Sequence, residues 1–448
     1  MINRKLKPEP FGKVNFRLPE INRFKLKNGL SVYHSFKNTL PIIQLKLFMP
    51  SGSIYDPINK KGVSTLASLL MDEGAGNLTG LEISDKIENL GSILNINSGK
   101  EFTTLSLLCL KENFIPSIEI LSTIVSSPHF NESDFNREIK RLESQILQLN
   151  ADPSFLAWNY FNKKIFASTP YQFSSYGLLK DLKNIANSNI KKFYENHSSA
   201  HNSFMVAVGD VKQKEIEGIF NNHLNKLKNT KTLNSVNYKL NNSEKQILLI
   251  DKMNSEQSEI RVGHLTKGRN VKDYYACLVL NTILGGQFSS RLNHNLREVK
   301  GYTYGIHSNF NYNKLGGSFS ISTSVKSENT ADALKEILFE LKEIQKTITQ
   351  EEIDFAKSYL VRRFPALFET YNQIAANVSS LPIFNLPDNY FVNYIDKINN
   401  VTLNNVEKAS IDNILLDNLL IVVVGNKHVL KSSIELFAKE NNFQFNET

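Results

Sequence analysis

The sequence predicts an α+β protein made of two homologous domains, each an antiparallel sheet with helices packed on one face. Length is the first reason: 448 residues exceed what one hydrophobic core usually organises. The second is a repeat whose period is a whole domain. SFMVAVGD (203–210) returns as LLIVVVGN (419–426), with Gly209 and Gly425 216 residues apart. IIQLKLFMPSG (42–52) returns as SEIRVGHLTKG (258–268), and Gly52 and Gly268 keep the same separation. The third is mixed periodicity. GGSFSISTSV (316–325) alternates, with Phe319, Ile321, Thr323 and Val325 on one face and serines on the other, as in a half-buried strand. DALKEILFELKEIQ (332–345) is amphipathic at helical spacing.

The elements repeat in order. FTTLSLLCLKENFIPSIEIL (102–121) and GGSFSISTSVKSENTADALKEIL (316–338) both read as a strand closed by Lys and followed by a helix. FNESDFNREIKRLESQIL and ITQEEIDFAKSYLVRRF then start helices at Asn131 and Thr349. Both are N-cap residue types, with acidic residues in the first turn where the helix dipole favours them. The polar stretch LKNTKTLNSVNYKLNNSEK reads as a linker. The expected division is residues 1–226, a linker at 227–245, and residues 246–448.

Composition narrows the function classes. Hydrophobic residues are 41% and charged residues 21%, the balance of a globular chain. The longest apolar runs, such as LLIVVV (419–424), fall far short of the ~20 residues of a membrane span. Net charge is +8, and no dense Lys/Arg run marks a nucleic-acid surface; the excess favours solubility and weak attraction for acidic partners. Cys109 and Cys277 are too few and too far apart for a disulfide framework and read as small core residues. MINRKLKPEPFGKVNF has no apolar leader region, so a cytoplasmic location is expected, or a periplasmic one if the sequence is a processed form.

The order of elements around GVSTLASLLMDEGA (62–75), together with LNTILGGQFSSRLNHNLREVKGYTYGIHSNF (280–310), resembles the pitrilysin/insulinase metallopeptidases. The second stretch is similar to that family's LGGG-SSRL…LRE-RGLAYS segment, and the likeness runs from about Leu26 to Gly425. The family's fold implies half of a clamshell. Its N-terminal helix carries H-x-x-E-H, two zinc ligands and a base. The resemblance places Thr65 at the first His, Ser68 at the Glu and Leu69 at the second His. A downstream Glu, the third ligand, falls on Gln145, with Glu138 at the acidic position seven residues before it; Glu143 reads as an exposed helix residue. Leu69 offers no donor, and neutral hydroxyls are poor ligands beside imidazole and carboxylate. No zinc site is therefore expected in this chain. His197 and His201 stand at i,i+4, but SSAHN has loop composition and is not expected to align them.

The C-terminal half retains what the resemblance assigns to substrate binding and oxyanion stabilisation: Arg297 and Tyr304, with Gly301 and Gly305 flanking the turn. Tyr302 is expected to pack or line a wall. In the family some members divide the site between two chains. The resemblance thus implies a catalytic pair, Arg297 and Tyr304, in a chain inactive alone, acting on unfolded peptides in a heterodimer with a homologous subunit that holds the zinc. The alternative is an inactive peptide-binding or scaffold subunit.

Overall fold

A computed structural model describes residues 16–229, 238–241 and 244–448. The stretch read for a leader, up to residue 15, and most of the expected linker lie outside the described residues.

Fourteen strands are defined among them: β1 (Asn22–Lys25), β2 (Ser31–Phe36), β3 (Ile42–Met49), β4 (Gly74–Ala75), β5 (Leu78–Thr79), β6 (Ile93–Ser98), β7 (Thr103–Leu110), β8 (Phe204–Gly209), β9 (Gln246–Asp251), β10 (Gln257–Thr266), β11 (Ile306–Asn313), β12 (Gly316–Lys326), β13 (Leu420–Gly425) and β14 (Gln444–Glu447). Two six-stranded sheets result, in the orders β1-β2-β8-β3-β7-β6 and β11-β12-β10-β13-β9-β14; β4 and β5 form a small hairpin. Read from opposite ends, the sheets superpose the sequence repeats. β3 matches β10, β7 matches β12, and the fully buried β8 and β13 match each other. The edge strand differs: β1 is the first strand of its half and runs antiparallel to β2, whereas β14 is the last strand of its half and runs parallel to β9.

The sheets are mixed rather than antiparallel throughout. β2 pairs β8 in parallel, and β9 pairs both β13 and β14 in parallel. β8 and β13 arrive by long helical crossovers, the kind of connection a parallel neighbour requires. Nothing in the alternation of a single strand encodes that choice.

Each sheet is covered by its own helices on one face. Leu45, Leu47, Leu105 and Leu107 join Leu66, Leu70, Leu121 and Leu142 in the N-terminal core. The other face is covered by a helix from the opposite half. Helix Tyr371–Phe384 packs on β8 and β3, and its Tyr371 phenol accepts the Leu40 N–H at 2.9 Å. Reciprocally, helix Pro153–Ile165 packs on β13 and β10, burying Ala157, Phe161 and Ile165 against Leu248, Val422 and Val424. Arg261 of β10, 3% exposed, donates to Ser154 Oγ at 2.7 Å, pairs with Glu259 at 2.9 Å and lies 5.1 Å from the Trp158 ring. The exchange makes the halves one body; at about 25 cal/mol per Å² of apolar surface, several buried aromatic and aliphatic side chains outweigh any single polar contact.

Among the described residues no helix is long and apolar enough to cross a membrane. Cys109 and Cys277 are buried and free.

Candidate functional site

The helix at the expected metal position, Val63–Leu70, buries seven of its eight residues. Its start is fixed by Gly62, whose φ of 116° suits glycine, and by Asp56, which accepts from Gly62 N–H at 2.8 Å and Ser64 N–H at 2.7 Å. Burial pushes the Asp56 carboxyl up to about 6 against the pull of those two N–H groups.

The two hydroxyls at the expected ligand positions are already committed. Thr65 Oγ1 donates to the Ser175 carbonyl at 2.6 Å, and Ser68 Oγ donates to the Thr65 carbonyl at 2.8 Å. Leu69 has no donor atom. Across from it, helix Glu132–Ala151 presents Phe135, Leu142 and Ile146 to the core, with Gln145 half-buried and Glu143 exposed. Among the described residues no cluster of three or more His, Cys, Asp or Glu could hold a metal ion. The donor set does not fit zinc.

An ion-pair network occupies the neighbourhood. Glu138 is 2% exposed and sits 3.2 Å from Arg137 Nε and 3.4 Å from Arg141 Nη1. Arg137 also reaches Glu73 at 2.5 Å and Asp134 at 2.8 Å. Burial raises the Asp72 carboxyl to about 6; Glu73 and Glu138 add to the rise and Arg141 opposes it. Guanidinium groups thus neutralise the one buried carboxylate at the resemblance-derived acidic position.

His197 and His201 do not act together. Helix Asn187–His197 ends at the first, whose ring stacks on Phe193 and whose Nδ1 lies 2.8 Å from the Phe193 carbonyl. His201 belongs to the separate short turn Ala200–Asn202. His197 is therefore a packed helix residue and not the solvated loop residue that composition suggested.

In the C-terminal half the segment after helix Tyr274–Leu284 is built from unusual backbone. Gly285 passes so close to β11 that an added Cβ would meet Ser308 Oγ at 2.6 Å and Ser308 N at 2.8 Å. Residues His294–Val299 form a π-helical turn, with the Lys300 N–H on the Asn295 carbonyl at 2.9 Å. Such turns recur at functional sites because they redirect side chains from the ordinary helical faces. Arg297 lies in this turn. Its side chain is 36% exposed, its guanidinium carbon sits 4.4 Å from the Phe288 ring centroid, and Glu298 is 3.8 Å away. Gly301, at φ +64°, turns the chain back towards β11.

Tyr304 stands at the tip of that turn, 94% exposed. Thr303 Oγ1 accepts the Gly305 N–H at 3.1 Å, and Thr323 Oγ1 lies 2.9 Å from Thr303 Oγ1 and 3.0 Å from the Gly305 carbonyl. The backbone under Tyr304 is thereby braced while its ring is left free. Tyr302 packs against the C-terminal core instead. Gly305 needs no glycine-specific φ, unlike Gly301.

Asn293, Phe288, Thr303 and Thr323 were not foreseen. Asn293 had a faint signal, an amide residue inside a helix-like run where its propensity is poor. The others had none.

These observations define a class: two interlocked repeats with a metallopeptidase layout whose metal position holds Thr65, Ser68, Leu69 and Gln145. Comparison with known proteins agrees. Residues 34–177 match the Insulinase (Peptidase family M16) family, and residues 184–360 match the Peptidase M16 inactive domain. The chain belongs to the M16 family. It is 25% identical to the non-peptidase homolog YmxG of Helicobacter pylori over 91% of this chain and 94% of the other. It is 24% identical to the zinc protease PqqE of the same organism over 80% of this chain and 82% of the other. A solved peptidase M16 inactive domain from Pseudomonas fluorescens superposes with a TM-score of 0.85 at 25% identity, covering 91% of this chain and 98% of that one.

Proposed function

We propose that this chain is the non-zinc subunit of a heteromeric M16 endopeptidase. It supplies Arg297 and Tyr304 to a site completed by a homologous, zinc-bearing partner. The observation that carries the reading is a contrast: the metal position is filled by committed hydroxyls and a leucine, while Tyr304 is held 94% exposed on a braced turn beside the Arg297 segment. Among the described residues no hydrogen bond engages this phenol.

The chemistry suits an electrophilic role. Hydrolysis of a peptide bond builds negative charge on the carbonyl oxygen. A permanently cationic guanidinium and a neutral phenol can each donate to it, and one such donor is typically worth ~2.7–4 kcal/mol of barrier. An unfolded peptide could add as a strand to β6, one of the two edge strands of the first sheet; β6 lacks charged residues, which commonly protect exposed edges.

The test is a mixed assay. The chain alone is expected to cleave nothing, and adding it to a zinc-bearing M16 partner should raise turnover of an unfolded peptide. Arg297→Ala and Tyr304→Phe should each lower that turnover without preventing assembly. Cleavage no faster than with the partner alone would leave a scaffold as the better reading.

A further inference from the structure

The C-terminal half holds a cavity of about 580 Å³ unrelated to the Arg297 segment. It lies between the loop after β10, the start of helix Tyr274–Leu284 and helix Leu403–Asn413. Four lysines line it: Lys267, Lys272, Lys397 and Lys408, all exposed. Among the described residues none of the four takes part in an ion pair. Two carboxylates share the cavity, Asp273 and Asp412, and Asp273 is engaged by the Asn413 amide at 2.5 Å. The lining thus carries more positive than negative charge. The floor is apolar, formed by buried Ala276, Val401 and Ala409 with the half-buried Tyr275 ring.

A cationic rim over an apolar floor is a specific combination. Lysines gathered on one depression repel one another, and among the described residues these four lack the close carboxylate that Lys111 has in Asp210 at 3.0 Å and Lys300 has in Glu336 at 3.0 Å. A nucleic-acid surface would need a stripe of cations along a backbone track, whereas these surround one recess. The volume falls within the ~300–1,000 Å³ of small-molecule sites. Space also extends beyond it: a neighbouring cavity of about 330 Å³ shares Lys267 and Asp412.

We propose that this recess binds a small organic phosphate, with the lysine ammonium groups on phosphate oxygens and the apolar body of the ligand over Tyr275 and Ala276. Ammonium groups serve as mobile point charges for phosphate, and the amides of Asn400 and Asn405 on the lining add neutral donors. The site is independent of the proposed peptidase role, so neither stands or falls with the other.

Calorimetric titration of the full chain with ATP and with tripolyphosphate tests this. ATP supplies both phosphates and an apolar body; tripolyphosphate supplies phosphates alone. ATP should bind saturably, more tightly than tripolyphosphate, and more weakly as salt is raised. Lys397→Ala/Lys408→Ala should weaken ATP by about tenfold or more. Lys180→Ala/Lys183→Ala, two exposed lysines of the other half, should leave binding unchanged. Failure of ATP to saturate at low millimolar concentration, or equal weakening by both lysine pairs, would overturn the assignment.

Discussion

Asn293 closes the loop that carries Arg297 and Tyr304. Its amide donates to the Ile306 carbonyl at 2.8 Å, and its oxygen accepts the Ile306 N–H at 3.3 Å. Asn293 is 2% exposed, so the clamp works away from water. It spans the π-helical turn, Gly301 and the braced tip, and it pins the far end of that loop at the first residue of β11. Its amide also sits 3.2 Å from Ser290 Oγ, which ties the clamp back to the start of the segment.

Asn293→Ala should therefore loosen this loop in particular. Removing both bonds leaves buried polar groups of Ile306 short of a partner, at a cost of about 1–3 kcal/mol. Hydrogen exchange should accelerate across residues 301–306 more than in the matching β6–β7 region of the other half. Unchanged exchange in 301–306 would show that the loop is held by something else.

Gly301 sits at φ +64° with nothing near its missing Cβ, so backbone conformation and not space is what a substitution disturbs. Gly301→Ala should cost about 1 kcal/mol, whereas Gly301→Asn should cost less, because Asn tolerates the left-handed region. Denaturant midpoints of the two variants decide it. Equal losses would mean that the position is not held left-handed in solution.

The repeat was legible because it lives in chain order: Gly209 and Gly425 end matching buried strands, whereas the serine face of β12, expected at solvent, is buried at Ser318 and Ser320 and only half-buried at Ser322 and Ser324. The swap of helices was not. The apolar face of Pro153–Ile165 says that the helix must cover something, but not that the cover belongs to the second sheet. Likewise the loss of zinc ligands could be read at Thr65, Ser68, Leu69 and Gln145. Occupation of the same region by Arg137 and Arg141 depends on which helices meet, and long-range packing is not written in local spacing. Capping shows the same division. Thr349 caps its helix as expected, and does so reciprocally with Glu352, whereas Asn131, the same kind of residue at the matching place, makes no side-chain cap bond.

Asp72 gives a pH prediction whose sign is fixed by the direction of its shift. Its carboxyl titrates near 6 in the folded chain against 3.8 when unperturbed. Between those values the folded state binds more protons than the unfolded one, so stability falls as pH rises through the window and levels off above it. Asp72→Asn removes this penalty. The variant should be more stable than the parent at pH 7.5 by on the order of 2 kcal/mol, and that advantage should vanish near pH 4. Urea unfolding at the two pH values is the measurement. An advantage of the same size at both would show that ionisation of Asp72 is not its source.

The strongest check on the metal position is to rebuild it. Thr65 and Leu69 are one helical turn apart, so imidazoles there would project from one face of Val63–Leu70, a helix that packs against the one carrying Gln145. Thr65→His, Leu69→His and Gln145→Glu together restore the donor types that zinc accepts, two imidazoles and a carboxylate. Arg137 and Arg141 still neutralise Glu138 nearby, and their positive charge should weaken a dication held alongside. The triple variant should bind about one zinc per chain, and adding Arg141→Ala should tighten binding. Metal content after dialysis, followed by a competition titration, reads both effects. A triple variant that keeps the parent's melting temperature yet retains no zinc would mean that these three positions do not converge, and the registration of this chain on the zinc-bearing members of its family would have to be redrawn.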